Sequence, residues 1–101
     1  MNITRDKHKS GDIIKLEGEL TIYTVSQAKN LLVEDCEKLT NTVALDLKNV
    51  SEIDTAGLQL LLFFQKHLDG FGKKVHIGNS NEHVDALLNQ LDVASYLSLE
   101  N

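Results

Sequence analysis

The side chains of this chain that could do chemistry fall in four places, and each can be weighed by what its chemistry requires. Asp54 stands in the turn Asp54-Thr55-Ala56-Gly57-Leu58. A carboxylate there can cap a helix or trade a proton, but it has no evident acid–base partner, and glycosidase or protease chemistry needs two carboxylates. His8, His67, His76 and His83 show neither the paired helical spacing nor the cysteine company of a metal site. Cys36, the single cysteine, lies on an apolar stripe, where a buried structural thiol is expected. Gly70-Phe71-Gly72-Lys73-Lys74 looks like a fragment of a phosphate-binding loop. It lacks the Gly-Lys-Ser/Thr ending and follows a helix, where such a loop must follow a strand. A helix C-cap and turn is the better account. No Ser/His/Asp or Cys/His arrangement emerges from the spacing, so no catalytic residue, metal or cofactor is expected.

What remains is the turn itself. It joins a strand over residues 42–47, through a polar connection over 48–54, to a helix that starts with small residues. Asp54 or Thr55 can accept a backbone N–H as a cap, and Gly57 lets another backbone approach closely. A capped helix start alone would explain these residues. The run Leu58-Gln59-Leu60-Leu61-Leu62-Phe63-Phe64 is apolar nearly all round the helix, more than one buried face needs. The surplus is expected to form an exposed patch near the turn, and such patches mark binding sites.

The elements that must position this turn follow from periodicity. Residues 3–9 and 13–17 read as a hairpin about Ser10-Gly11. Gly18-Glu19-Leu20 leads into a helix whose stripe is Val25, Ala28, Leu32, Cys36 and Leu39, capped by Ser26 or Thr24 and ended at Asn41. The strand over 42–47 is nearly continuous in apolar character, as expected of one covered on both faces. A second helix spans residues 55–71, ended by Gly70 and Gly72. Val75-His76-Ile77 is a short strand, and Val84, Leu87, Leu88 and Leu91 mark a third helix. Val93-Ala94-Ser95-Tyr96-Leu97 closes the chain. The order β-β-α-β-α-β-α predicts one α/β domain over residues 1–101, a mixed sheet with an antiparallel edge.

Composition narrows the function. The 101 residues suit a single core without staples, and one cysteine excludes an internal disulfide, which fits a reducing compartment. The polar N-terminus does not read as a signal peptide, and the apolar run from Leu60 to Phe64 is too short to span a bilayer. Asn2-Ile3-Thr4 and Asn49-Val50-Ser51 match a glycosylation pattern that has no meaning without secretion. A cytoplasmic protein without membrane insertion is expected. Fifteen acidic against ten basic residues give a net charge of −5, against a nucleic-acid partner.

Asp54-Thr55-Ala56-Gly57-Leu58, preceded by Val43-Ala44-Leu45-Asp46-Leu47 and by Gly18-Glu19-Leu20, resembles the STAS family, the anti-sigma-factor-antagonist domains. The resemblance covers the whole chain. It implies a single STAS-like domain, with a mixed four- to five-stranded sheet and helices mainly on one face. It also implies a non-catalytic, monomeric or weakly dimeric module that docks a partner through residues 54–58. Asp54 would order the loop, while Thr55, Gly57 and Leu58 would touch an anti-sigma factor, a serine kinase-like regulator or another signalling protein. In sporulation-type members the residue before the glycine is a phosphorylated serine. Here it is Ala56, which has no hydroxyl, so that switch is absent and Thr55 is the remaining hydroxyl, to serve as an interface hydrogen-bond donor, a helix cap or an alternative phosphorylation site. Asp-Thr-Ala-Gly-Leu is also similar to the small STAS subunit of phospholipid-transport ABC complexes, whose threonine contacts the ATPase, and to chemotaxis-linked STAS proteins. Thr21 departs from the aspartate many relatives carry after Gly-Glu-Leu. Nucleotide binding, suggested for some STAS domains, is required by nothing in this sequence.

Overall fold

A computed structural model describes residues 1–90 and the short strand Ser98–Leu99. The elements run β1 (Asn2–His8), β2 (Gly11–Leu20), α1 (Val25–Val33), β3 (Thr42–Asp46), β4 (Val50–Ile53), α2 (Thr55–Asp69), β5 (Lys74–Asn79), α3 (Glu82–Gln90) and β6 (Ser98–Leu99). The sheet order β1-β2-β3-β5-β6 holds five strands, and β4 adds a sixth beside β2. β1 and β2 form the antiparallel edge, and the remaining pairings are parallel. The α/β class and the mixed sheet are those expected from the sequence. The expected closing segment, 93–97, and Leu91 lie outside the described residues.

Alternation sets the core. Ile14, Leu16, Val43, Leu45, Val75 and Ile77 point to the helix side and are buried, with Ala28, Leu32, Leu61, Phe64, Leu68, Val84 and Leu88 packed over them. Ala44 and Asp46 on the opposite face of β3 are only half-buried and Thr42 is exposed. That corrects the expectation of a strand covered on both faces: a small and a polar residue can face outward where a run of large apolar ones could not.

Two elements differ from what the sequence predicts. The first helix stops at Val33 rather than near Asn41, because Asp35 adopts the left-handed conformation (φ 53°). Arg5 of β1 seals the break, donating from Nη2 to the carbonyls of Leu31, Leu32 and Glu34. A 3₁₀ turn over Cys36–Lys38 then delivers Cys36 and Leu39 to the core that the helical stripe predicts for them. The Cys36 thiol donates to Leu32 O at 3.0 Å, and burial pushes its pKa up. The second difference is β4, expected as a polar connection. Only Val50 of its four residues is buried, so its sequence carries no strand periodicity, yet it pairs with β2 over Gly18–Leu20.

Side chains fix the crossovers. Asp12 and Thr40 bracket the entry to β3: Asp12 N–H donates to Thr40 Oγ1 (2.7 Å), and Thr40 N–H to Asp12 Oδ2 (3.0 Å). Asn81 holds the turn between β3 and β4. Its Nδ2 donates to the carbonyls of Leu47, Lys48 and Val50, and its Oδ1 accepts from Val84 N–H at the start of α3. Asn81→Ala is expected to cost about 1–2 kcal/mol in urea unfolding. Asn81→Asp should recover only the helix-capping share, because a carboxylate cannot donate to the three carbonyls.

Candidate functional site

The C-terminal half of β2 and all of β4 run side by side, with Leu20 in register with Ile53, and both lead to the same end of the sheet. Asp54 follows β4 in extended conformation and is the N-cap of α2. Its Oδ1 accepts from Gly57 N–H (3.0 Å), supplying one of the donors a helix start leaves unsatisfied. Its Oδ2 accepts from Ile22 N–H (2.9 Å) in the loop between β2 and α1, and its own N–H donates to Leu20 O (3.3 Å). These backbone donors, Ile22 first and Gly57 next, hold the Asp54 carboxyl below the usual carboxylate range.

Gly57 carries the closest approach in the site. A Cβ there would collide with the Leu20 carbonyl oxygen and come within 2.9 Å of its carbon. The glycine is required by contact, as the sequence suggested, and not by a left-handed backbone. Leu58, expected from the resemblance to touch a partner, instead faces inward. It is 3% exposed and belongs to the core cluster, so its part in the site is to anchor the first turn of α2. Gly57 is buried as well. Within the pentad only Thr55 is exposed, with Asp54 and Ala56 half-buried. The Thr55 hydroxyl makes no hydrogen bond among the described residues.

An exposed apolar patch lies near the turn, but the run expected to form it contributes only Phe63, 37% exposed, and half-buried Leu62. Leu58, Leu60, Leu61, Phe64 and Leu68 are all buried. The patch sits on the neighbouring loop, where Ile22 is 63% and Tyr23 91% exposed. Periodicity alone misses both. The visible signal was a pair of large apolar residues between β2 and the helix stripe, off the periodicity of either. The loop is built by Thr24, whose Oγ1 accepts from Thr21 N–H (3.0 Å) and donates to Glu19 O (2.9 Å), so Thr24 occupies the cap position of α1 without capping it. Beyond the loop, α1 and α2 leave a groove lined by Val25, Ser26, Lys29, Ala56, Gln59 and Phe63. Lys29 Nζ lies 4.5 Å from the centre of the Phe63 ring.

The other sequence candidates fall elsewhere. Gly70 caps α2, and Lys73 is buried with its Nζ donated to Leu39 O, so that lysine serves the turn into β5. His67 stacks on Phe63 and meets Phe71 edge-on, each pair of ring centres 5.5 Å apart. Among the described residues no group of His, Cys, Asp and Glu is placed to hold a metal, and no helix is long and apolar enough to cross a membrane.

Asp54→Ala is expected to lower stability by about 1 kcal/mol at neutral pH. The sign follows from the lowered carboxyl: its contribution is complete above the unfolded-state carboxylate pKa and is lost as pH falls through the folded value. Urea midpoints of the two proteins should therefore converge on acidification. Gly57→Ala should cost more, about 2–3 kcal/mol or a failure to fold, since backbone opposes the added methyl.

Comparison with known proteins accords with the fold. The family model described as "Mlab, STAS domain" matches residues 3–99. The anti-sigma-B factor antagonist of Staphylococcus epidermidis is 32% identical over 87 residues, 86% of this chain and 81% of that protein. An anti-sigma factor antagonist from Mycobacterium paratuberculosis shares the fold with a TM-score of 0.84 at 13% identity, over 97% of this chain and 83% of the other. The antagonist SpoIIAA in its unphosphorylated form superposes with a TM-score of 0.75 at 16% identity, over 99% and 89% of the two chains. The chain belongs to the STAS domain family, and is an anti-sigma-factor-antagonist-like, non-catalytic member of it.

Proposed function

We propose that this chain docks a regulatory protein partner, an anti-sigma factor or a serine kinase-like regulator, through Thr55, Ala56 and the Ile22–Tyr23 loop, without a phosphoserine switch. The observation that carries this reading is the Asp54 carboxylate. By accepting from both Ile22 and Gly57 it holds an exposed apolar loop and an exposed helix start as one surface. Binding to a surface already ordered loses less conformational entropy. Ala56 stands half-buried beside that surface with no group to phosphorylate, so the surface is permanently competent. Gly57 and Leu58 support it from within.

A second reading, an accessory subunit of an ABC-transporter ATPase, is favoured by the hydroxyl of Thr55 at the first helical position. Both readings use the same surface. Co-expression with the proteins encoded beside this chain, followed by tagged capture, tests them. Thr55→Arg and Ala56→Asp should abolish capture, the second by placing a carboxylate where a phosphate would bring charge. Thr55→Ser should bind as the parent does if the hydroxyl is the contact. Capture unchanged by Thr55→Arg in a folded protein would remove the knuckle from the interface.

A further inference from the structure

The exposed tip has charged company. β2 and β4 run parallel with Glu19 directly in register with Glu52, and both residues are exposed or nearly so. Adjacent strands lie about 4.8 Å apart, and like charges directly opposite destabilise a sheet. Neither carboxylate takes part in the ion pairs among the described residues, which are Lys15–Asp6 and Lys38–Asp35. The pair stands where the two strands enter the knuckle: Glu19 precedes Ile22 by three residues, and Glu52 precedes Asp54, whose Oδ2 accepts from Ile22 N–H. The backbone of Glu19 is itself held by the Thr24 hydroxyl. Two like-charged, exposed residues thus stand in register at the strand ends that lead into the loop carrying exposed Ile22 and Tyr23, on a chain of net charge −5.

We propose that the Ile22–Tyr23 tip and the Glu19–Glu52 pair form one docking face for a partner segment that carries arginine or lysine beside apolar side chains. This rests on the knuckle being the docking surface and names the chemistry of what docks. Ile22 and the Tyr23 ring bury against the apolar residues of the partner, and the tyrosine ring loses little side-chain freedom in doing so. A guanidinium between the two carboxylates replaces their repulsion with charge-assisted hydrogen bonds. The same face rejects an acidic segment, so charge supplies selectivity and faster encounter with basic ones.

The test titrates the ¹⁵N-labelled full chain with two synthetic amphipathic helical peptides that differ only in charge. One carries arginines beside its leucine ridge and the other glutamates at the same positions. The arginine peptide is expected to shift the amide signals of residues 19–23 and 52–56, with binding weakened by added salt, while the glutamate peptide leaves them in place. Ile22→Glu and Glu52→Lys should each weaken the arginine peptide about tenfold or more. Glu52→Gln should raise the thermal midpoint of the free chain by a few degrees. Equal shifts with both peptides, shifts centred elsewhere, no binding at millimolar peptide, or an unchanged or lower midpoint for Glu52→Gln would each overturn the proposal. Captured partners separate it from the broader reading. Loss of capture by Thr55→Arg but not by Ile22→Glu or Glu52→Lys keeps the knuckle and discards this face. Insensitivity to all three discards both.

Discussion

The Asp54 carboxylate takes backbone N–H groups from Ile22 and Gly57, the first of them 32 residues away in sequence. Hydrogen bonds to an ionised acceptor are roughly twice as strong as neutral ones, and these two keep the acceptor ionised by lowering its pKa. One oxygen serves the start of α2 and the other the loop before α1, so neither segment can shift relative to the other without breaking the Ile22 hydrogen bond to this carboxylate. The collision awaiting any Cβ at Gly57 adds a steric bound to the electrostatic one. Between them the β2 terminus and α2 have one mutual position. The groove between the helices and the exposed loop inherit it.

Such a fixed arrangement bears on how a protein without a catalytic group could be controlled. The residue before Gly57 is where, on the proposed reading, a phosphate would add charge near this carboxylate, and Ala56 has no hydroxyl to receive it. On the proposed reading, regulation then lies in how much of the chain is present and in which partner is available. Strength of docking would be set by the side chains that reach solvent, Ile22, Tyr23, Thr55 and Gln59 with half-buried Ala56, because Gly57 and Leu58 are engaged in packing and Asp54 in the bridge.

The turn was legible in the sequence because its chemistry is local: an acidic cap, small residues and a glycine at a helix start mean the same thing wherever they occur. The need for glycine at position 57 was legible too, though only the fold shows that the approaching backbone is Leu20. Leu58 illustrates the limit. Its place in an apolar run says that a face is buried and not which face, since α2 is apolar over most of its circumference. β4 was illegible because a strand secured by pairing at one edge needs little apolar pattern, and Ser51 and Glu52 face solvent. The early end of α1 depends on Arg5, from a strand distant in sequence, and on the left-handed Asp35. No local propensity announces either.

Strand β2 pairs with β1, with β3 through its first half and with β4 through its second. Of these three partners only β1 precedes it in the chain. As the protein emerges from a ribosome, the hairpin can close first, but the parallel edge of β2 stays open until residues 42–53 are available. The Asp54 bridge comes later still, because it also requires Gly57. A nascent chain therefore cannot offer this docking surface before residue 57 has been made, and the core residues of α2, β5 and α3 that pack beneath it follow later still.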